Sequence, residues 1–390
     1  MNQSFRFWIL VSIVAISGFS QGMLLPLIAI IFEQDGISST LNGLNATALY
    51  IGVLVASPFM EAPLRKFGYK PIILTGGLLV GAALAFFPVW KSFWFWFLLR
   101  FIIGIGDQLL HFGTQTWITS SSPKNRLGRN IALYGLFFGI GFTVGPMVAR
   151  LVEVNPSLPF ILSSLISLTA WGFVWFLKNE LPEKGKETTS FLGTMNRFGK
   201  VFKYAWVAFL PPFGYGFLEA SLNGNFPVYA LRNGLEISAV ALILPAFAAG
   251  SIVFQLPLGI ISDRYGRKNV LVTVMLSGFI CFTIAGIIEN SVIGLLVCFF
   301  IAGMLVGSTY SLGISFMADL LPRQLLPAGN LMVSIFFSFG SITGPFIGGL
   351  AIQYLKGASF FYVISSMLFV IFLALIIFKP LTKQEEMHSI

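Results

Sequence analysis

Charged side chains are scarce in this sequence. Only 10% of the 390 residues are charged and 56% are hydrophobic, whereas soluble domains carry about 25% charged residues. A water-soluble fold of this length could not bury so much apolar side chain, because even large domains keep a polar exterior. The composition therefore excludes an ordinary soluble protein and predicts one whose solvent is lipid.

Cysteine and histidine are equally rare. Cys281 and Cys298 both fall inside apolar segments, so no disulfide framework or metal-spaced cluster is present in the sequence. The two histidines, His111 and His388, lie far apart, which argues against the clustered His/Asp or Ser/His groups of a membrane-embedded enzyme. No Walker-type phosphate-binding run is present either. We expect no enzyme activity, no cofactor and no bound metal, and any transport must draw on an ion gradient.

Long apolar runs fill most of the chain. Breaking it at charged and Pro/Gly clusters gives twelve runs, each long enough for the roughly 20 residues of a membrane-spanning helix. We predict an all-α membrane protein with twelve transmembrane helices in two six-helix bundles, at 1–178 and 201–380. A polar linker at 179–200 joins the bundles, and a tail at 381–390 follows. The first apolar run lacks a small-residue cleavage site and is interpreted as retained.

Lysine and arginine predict the orientation. With both chain ends inside, the outer connections hold only four of the 24 basic residues, namely Lys91, Arg150, Arg232 and Lys356, and Arg100 remains in the membrane. This asymmetry is typical of the positive-inside rule. The net charge of +9 is thus a topology signal and does not indicate a nucleic-acid partner. We expect a monomer in the lipid bilayer of the cell (inner) membrane, with both termini, the linker and the tail in the cytoplasm.

Landmarks in the first half recur in the second at a nearly constant offset. The matches are Ile37-Ser38 with Ile237-Ser238, Gly68 with Gly266, Phe101-Ile102 with Phe300-Ile301, Gly104 with Gly303, Pro123 with Pro322, and Gly145-Pro146 with Gly344-Pro345. Their common order and register indicate two parallel repeats of six helices. Repeats of this kind place the solute site at their interface near the membrane midplane.

The loop after span eight carries a family resemblance. It reads G-I-I-S-D-R-Y-G-R-K over Gly259–Lys268, which resembles the signature loop of the major facilitator superfamily. The resemblance implies a gating loop whose acid pairs with neighbouring helix ends and latches one access state. Its residues here are Gly259, Asp263, Arg264, Gly266 and Arg267.

The equivalent loop of the first half, Glu61–Lys70, departs from that pattern. Arg65 stands where the acid should be, Tyr69 replaces a basic residue, and Gly68 keeps the turn. Glu61 lies one turn before Arg65 and could supply the missing carboxylate through an i,i+4 pair. We therefore include Glu61, Arg65 and Gly68 in the predicted gate.

Glycine-proline seams are a further likeness to the superfamily. In the family, the version in the fifth helix is associated with exporters that exchange solute for protons. Small residues four apart also let two helices approach closely, and proline bends a helix, so packing alone explains the pattern as well. The seam residues are Gly141, Gly145 and Pro146 in span five and Gly340, Gly344 and Pro345 in span eleven.

Ionisable residues at membrane depth are the strongest functional signal. A charge at the bilayer centre costs at least about 2.5–3.5 kcal/mol, yet Asp107 lies in the middle of span four and Glu219 in the middle of span seven. The family resemblance implies that both face a central cavity. We hypothesise that Asp107 and His111 form a proton-carrying site with Arg100 as a fixed countercharge. Glu219 would bind a cationic or hydrogen-bonding solute or act as a second proton site.

Other polar residues are cavity candidates from position alone. They are Gln21 in span one, Asn223 and Asn225 in span seven, and Ser308 and Tyr310 in span ten. For all of these groups, and for the buried acids, the alternative is that they only tie helices together through hydrogen bonds.

Together these features predict a secondary transporter that works by alternating access on a small solute and protons. Proton-coupled efflux of a drug-like or amphipathic compound is the leading interpretation. Proton-coupled uptake of a nutrient or metabolite, or a non-transporting membrane sensor, remain the alternatives.

Overall fold

The computed structural model describes residues 3–37, 39–183, 191–354 and 359–379. Every element assigned within these ranges is a helix. The predicted tail at 381–390, and residues 184–190 of the predicted linker, lie outside the described residues. The chain divides into two compact units, the first comprising Met1–Ser122 with Leu133–Thr194 and the second Pro123–Ala132 with Met195–Ile390.

The α-helices are numbered in chain order. Those up to residue 174 are α1 (Gln3–Gln34), α2 (Ser39–Ala56), α3 (Glu61–Phe67), α4 (Tyr69–Phe86), α5 (Phe93–Ser121), α6 (Leu127–Ala149) and α7 (Leu158–Val174). Those that follow are α8 (Phe191–Ala205), α9 (Leu210–Gly224), α10 (Phe226–Arg232), α11 (Ile237–Tyr265), α12 (Arg267–Ile287), α13 (Val292–Val306), α14 (Thr309–Leu320), α15 (Leu326–Tyr354) and α16 (Phe361–Ile377).

Apolar spans dominate the described residues. Eight helical stretches there are long and apolar enough to cross a membrane, and the pair Leu44–Phe59 and Glu61–Phe67, bent by 57°, passes the same test as one broken span. The helices α7 and α16 are apolar but shorter, and α9 with α10 occupies the stretch between α8 and α11. This arrangement is consistent with the predicted twelve-helix fold.

Breaks within spans lie where the backbone loses hydrogen bonds. Pro58 follows the end of α2, and Pro227 lies in the first turn of α10. Proline has no N–H to donate, so the ladder of the preceding turn is interrupted. At the second break, the Asn225 side chain donates to the backbone oxygen of Pro345 at 3.0 Å. A side-chain amide thus binds a neighbouring helix at the point where the backbone ladder is interrupted.

The polar linker predicted at 179–200 is helical in its last part. Helix α8 begins at Phe191 and continues to Ala205. Apolar residues recur along it at helical spacing, with basic residues between them, which is the pattern of an amphipathic helix. The low overall hydropathy of the segment concealed this periodicity.

Two glycines form matching turns in the two halves. Gly68 separates α3 from α4, and Gly266 separates α11 from α12, each with a φ of 87°. This left-handed conformation is costly for residues with a Cβ atom. The repeat detected in the sequence therefore reflects a backbone requirement at both positions.

Helix α1 packs backbone to backbone against α6 in the first unit. A Cβ atom on Gly141 would lie 1.8 Å from the Ala15 oxygen, and one on Gly22 would lie 2.1 Å from the Phe142 oxygen. In the second unit, a Cβ atom on Gly340 would lie 2.1 Å from the Phe213 oxygen, so α9 and α15 form an equivalent seam. The glycine pattern thus has a packing role in both halves.

An aromatic cluster fills the core of the first unit near the start of α5. Phe87 stacks on Phe160 with ring centroids 4.9 Å apart, and Trp96 stacks on Phe32 at 5.4 Å. These rings join α1, α5 and α7 to the residue that follows α4. They hold α1 against α5, the two helices that carry the candidate site of this unit.

We expect Gly141→Ala to destabilise the protein, because α1 and α6 would have to separate to admit the methyl group. Overpacking of this kind costs about 1–3 kcal/mol and should lower the thermal unfolding temperature in detergent. Gly172→Ala is the matched control, since a Cβ atom at Gly172 meets nothing within 4 Å. Replacing a helical glycine there should be neutral or slightly stabilising. Equal effects of the two variants would contradict the packing role of the seam.

Candidate functional site

Asp107 lies on α5 with only 3% of its surface exposed. Its carboxylate accepts two hydrogen bonds from α1. The Ser17 hydroxyl donates to Oδ1 at 2.8 Å, and the Gln21 amide donates to Oδ2 at 3.0 Å. Because lipid offers no hydrogen-bond donors, these two side chains replace the solvation that the carboxylate would have in water.

His111 lies one turn after Asp107 and joins the same network. Its Nε2 atom is 3.0 Å from the Ser17 hydroxyl oxygen, and its Nδ1 atom is hydrogen-bonded to the hydroxyl of Tyr134 on α6. The phenol is almost fully buried. Asp107 and His111 are therefore connected through Ser17, and Tyr134 continues the chain to a third helix.

The local sequence explains why these groups meet. Ser17 and Gln21 are four residues apart and so share one face of α1, as do Asp107 and His111 on α5. Gly18 lies beside Ser17 and allows close approach of α6, because a Cβ atom there would lie 2.3 Å from the Phe138 oxygen. Ser17 and Tyr134 were not singled out in the sequence. The spacing of Ser17 from Gln21 was an available signal, whereas Tyr134 is identified only by the packing of α6.

Arg100 lies elsewhere on α5. It is 2% exposed, and its Nη1 donates to the side-chain oxygen of Asn45 on α2 at 3.3 Å. Among the contacts of the described residues, none joins Arg100 to Asp107. No direct contact therefore supports its predicted role as a countercharge to Asp107. Two turns of α5 separate the two side chains.

Glu219 lies on α9 of the second unit in an aromatic setting. Tyr215 is one turn earlier on the same face and interacts electrostatically with the Glu219 carboxylate. The Tyr215 ring centroid is 6.2 Å from that of Phe337 and 6.4 Å from that of Tyr310. Within the part of the chain that the structure describes, no hydrogen bond or ion pair is formed by the Glu219 carboxylate.

The remaining cavity candidates of the second unit bind neighbouring protein groups. Ser308 is 1% exposed and donates to the Gln255 side chain of α11 at 3.0 Å. Asn223 donates to the backbone oxygen of Glu219 at 2.8 Å, while Asn225 binds the break between α9 and α10. Tyr310 packs edge-on against Phe337 with centroids 5.3 Å apart. The contacts of Ser308 and Asn225 therefore tie neighbouring helices, whereas the contact of Asn223 lies within α9.

The signature loop after α11 is built around Asp263. Its carboxylate accepts from the backbone N–H of Gly128 at 2.8 Å and of Arg129 at 2.9 Å, in the first turn of α6. These N–H groups have no partner within their own helix, and the helix dipole favours a negative charge there. The segment Pro123–Ala132 that carries them belongs to the second unit.

Arg267 completes this second-half cluster. It donates to Asp263 at 2.7 Å and to the backbone oxygen of Lys124 at 3.0 Å, and it also pairs with Asp319. Gly259 allows the close approach, because a Cβ atom there would lie 2.8 Å from the Gly128 oxygen. Asp319 was missed in the sequence, although its position corresponds to the end of span four in the first half.

The side chain of Arg264 points to the surface. It is exposed, unlike Arg267 on the other side of the turn glycine. Of the two loop arginines, only Arg267 takes part in the ion-pair cluster.

The equivalent loop of the first unit carries different chemistry. Arg65 pairs with Glu61 at 2.7 Å, as the spacing predicts. Tyr69 occupies the place of Arg267 and forms a hydrogen bond with Ser120 at 3.2 Å, where the second unit has an ion pair. The segment after α7 binds the backbone next to Gly68, because the backbone N–H of Tyr69 donates to the backbone oxygen of Glu180 at 3.0 Å.

Glu180 is the acid at the centre of the first unit's network. Its carboxylate pairs with Arg6 at the start of α1 and accepts from the indole of Trp117 at the end of α5 at 2.7 Å. The Arg6 guanidinium also lies over the Trp117 ring. Sequence reasoning missed this residue because it lies in the stretch interpreted as a polar linker.

No group of three or more His, Cys, Asp or Glu side chains among the described residues is arranged to hold a metal ion. The chemistry of the described sites is therefore that of carboxylates, hydroxyls, one imidazole and aromatic rings.

Comparisons with known proteins agree with this architecture. The family model of the Major Facilitator Superfamily matches residues 10–246 and 209–389. A protein of Bacillus subtilis (strain 168), named "Uncharacterized MFS-type transporter YfkF", is 59% identical over 377 residues, which cover 96% of each chain. The "Uncharacterized MFS-type transporter YcaD" of Salmonella heidelberg (strain SL476) is 22% identical over 352 residues, covering 90% of each.

Solved structures share the fold at low sequence identity. The E. coli fucose:proton symporter FucP aligns with a TM-score of 0.76 and 17% identity, covering 95% of this chain and 98% of that one. The human organic anion transporter MFSD10 (TETRAN) aligns with a TM-score of 0.72 and 18% identity, covering 96% and 100%. The twelve-helix architecture and the full-length family match lead to one conclusion: this chain is a multi-pass membrane protein that belongs to the major facilitator superfamily of secondary transporters.

Proposed function

We propose that this transporter exchanges protons for a cationic, amphipathic solute and exports that solute across the cell membrane. The observation that carries the proposal is the hydrogen-bonded carboxylate of Asp107, held by Ser17 and Gln21 beside His111. A buried acid inside a membrane bundle is costly to maintain, and such groups usually mark ion pathways.

Asp107 is suited to hold a proton and to release it. Its ionised form is stabilised by two donors, while burial in the helix bundle favours its neutral form. The two effects oppose each other, so the carboxylate can change protonation state with a modest change of surroundings. A change between access states supplies such a change.

Glu219 is suited to bind the solute. Its carboxylate forms no described hydrogen bond or ion pair. Tyr215, whose ring packs near those of Tyr310 and Phe337, lies one turn before it and interacts with it electrostatically. Aromatic faces attract organic cations, most strongly where water is excluded. The ionised carboxylate of Glu219 would add a charge attraction for such a cation.

The Asp263 cluster is suited to act as the latch of one access state. Its carboxylate binds the first turn of α6, and Arg267 supports it. Ion pairs of this kind are stable when formed and costly to leave half-broken, which favours two discrete arrangements over a continuum. The first-half loop has a hydrogen bond between two neutral side chains at the position of the Arg267–Asp319 pair, so we assign the charged latch to the second-half loop.

The distribution of lysine and arginine supports an orientation with both termini in the cytoplasm. In that orientation, the loops after α3 and α11 lie on the cytoplasmic side. We assign the protein to the cell membrane as a monomer.

Proton-coupled uptake is the second candidate. FucP, which has the same fold, is a fucose:proton symporter, and the hydrogen-bonded network at Asp107 would serve symport equally well. The acid at Glu219, which has no ion pair among the described residues and lies beside Tyr215, favours a cation over a neutral sugar, and it disfavours the organic anions named for MFSD10. A sensor that does not transport would bind solute without flux.

The direction of coupling can be tested in proteoliposomes with tetraphenylphosphonium as the cation and L-fucose as the neutral comparison. For exchange, an acidic lumen drives the cation inward as protons leave, whatever the orientation of the protein. For symport, an acidic exterior is needed. Fucose accumulation driven by an acidic exterior would overturn the proposal, as would cation binding without flux.

Asp107→Asn should abolish accumulation driven by a pH gradient, because the amide keeps the shape of the side chain but carries no titratable proton. Exchange of labelled for unlabelled cation at equal pH should persist. Asp35→Asn, which removes a surface pair with Lys91, is the matched control and should behave like the unmodified protein. Retained gradient-driven accumulation in Asp107→Asn would exclude Asp107 as the coupling site.

Glu219→Gln should weaken cation binding by about 2 kcal/mol or more, as expected when one partner of a desolvated charge pair is removed. This corresponds to about a thirtyfold rise in Kd, measurable by titration with tetraphenylphosphonium. Glu289→Gln removes an acid that accepts from Tyr229 at 2.6 Å and serves as the comparison. Unchanged affinity in Glu219→Gln would place the solute elsewhere.

Asp263→Asn should loosen the latch, because an amide cannot accept from both backbone N–H groups and Arg267 together. We expect faster hydrogen–deuterium exchange at residues 123–132. Tyr265→Phe alters an exposed side chain of the same loop and should leave exchange unchanged. Equal protection of 123–132 in all three proteins would show that Asp263 does not hold α6.

A further inference from the structure

The polar groups around Asp107 form one continuous chain. It runs from the Tyr134 hydroxyl to His111 Nδ1, from His111 Nε2 to the Ser17 hydroxyl, and from Ser17 to Asp107. Each link joins two different helices, α6 to α5, α5 to α1 and α1 to α5. Gln21 binds the far oxygen of the carboxylate at 3.0 Å and closes the chain at that end.

Counting protons fixes the direction of every link. An ionised carboxylate only accepts, so the Ser17 hydroxyl gives its single proton to Asp107. The Ser17 oxygen must then accept from His111, which places the imidazole proton on Nε2. In a neutral imidazole the other nitrogen is an acceptor, so Tyr134 donates to Nδ1. With Asp107 ionised, all donors point towards it.

We propose that Tyr134, His111 and Ser17 are a proton wire that loads Asp107, and that His111 works by changing tautomer without becoming charged. The proposal rests on the proposed proton coupling at Asp107 and adds the route by which the proton arrives. It assigns roles to two residues, Ser17 and Tyr134, whose hydroxyls lie at the two ends of the imidazole.

The transfer balances step by step. A proton arrives at the Tyr134 oxygen as the Tyr134 proton passes to His111 Nδ1. The Nε2 proton passes to the Ser17 oxygen, and the Ser17 proton passes to Asp107 Oδ1. Tyr134, His111 and Ser17 all end neutral, each having received and given one proton. Asp107 is protonated, and the imidazole proton has moved from Nε2 to Nδ1.

Few other ionisable groups face this chain. Arg100 on α5 is bound to Asn45, and Tyr50 on α2 lies near Arg100. The ionisable residues of α4 are Tyr69 and Lys70, at its first turn, and α7 has none. On α1, Arg6 lies in the first turn of the helix, about three turns before Ser17, and is paired with Glu180. Asp107 is the carboxylate that is joined to His111 through Ser17, so we expect its charge to set the tautomer of His111.

The tautomer can be observed directly, because the chain has only two histidines. In a His388→Gln protein, ¹⁵N-histidine labelling leaves His111 as the only imidazole, and solid-state NMR in lipid distinguishes Nδ1–H from Nε2–H. We expect Nε2–H at high pH and Nδ1–H at low pH. An imidazolium with both nitrogens protonated at low pH, or one tautomer throughout, would overturn the wire.

Asp107→Asn provides a second spectroscopic arm. Gln21 donates to Oδ2, so the new amide should place its oxygen there and direct its NH₂ towards Ser17. The amide then donates as the protonated acid would, and His111 should stay in the Nδ1–H form at every pH. A tautomer that still changes with pH in Asp107→Asn would show that another group controls it.

A transport assay tests variants that each remove one hydroxyl of the chain. Tyr134→Phe and Ser17→Ala should each slow pH-driven transport of tetraphenylphosphonium by roughly tenfold or more, in line with the loss of a positioned proton-transfer group. Exchange of labelled for unlabelled cation at equal pH should be retained, and Ser17→Thr should restore the driven rate. A purely structural role would instead impair both kinds of transport together.

Matched controls and outcomes separate the two proposals. Tyr354→Phe alters an exposed tyrosine, and Ser163→Ala removes a buried hydroxyl that has no hydrogen-bond partner among the described residues. Both variants should transport normally. If Asp107→Asn uncouples transport while Tyr134→Phe and Ser17→Ala do not, the wire is wrong and the proposed function stands. If Asp107→Asn remains coupled, the proposed function itself fails, whatever the tautomer data show.

Discussion

A carboxylate inside a lipid-embedded bundle must find its hydrogen-bond donors within the protein, because lipid supplies none. At Asp107 those donors come from α1, which must therefore stay in close register with α5. The glycine seam between α1 and α6 brings Tyr134 within reach of His111. The packing of α1, α5 and α6 therefore positions the polar side chains of the site. A change in that packing would also change the site.

The two halves share a backbone plan but differ in their charges. Both have a glycine turn with the same positive φ, at Gly68 and Gly266. After the first turn, Tyr69 meets Ser120 through neutral hydroxyls, whereas Arg267 meets two carboxylates after the second. Glu180 and Arg6 supply the charges of the first half from other segments. The two halves thus have the same backbone turn but different polar contacts at equivalent positions.

Family membership accounts for the fold and leaves the solute open. A relative 59% identical along almost the whole chain carries the same family name, and solved proteins with the same fold have different solutes in their names. Specificity must therefore come from particular side chains. In the second unit, our proposal of an organic cation rests on Glu219 and the neighbouring ring of Tyr215, which combine a negative charge with an aromatic surface.

The sequence by itself determined the solvent, the twelve spans, the repeat and the two acids within apolar spans, because these depend on apolar length, charge placement and spacing along one chain. The i,i+4 pair of Glu61 with Arg65 was predictable for the same reason. Only the tertiary structure decided which polar groups meet. Ser17, Tyr134 and Glu180 acquire their contacts from helices distant in sequence, and Arg100 binds α2 through Asn45 although its position on α5 suggested a link to Asp107. Such contacts depend on how helices rotate and approach in space, and no periodicity along a single segment encodes that.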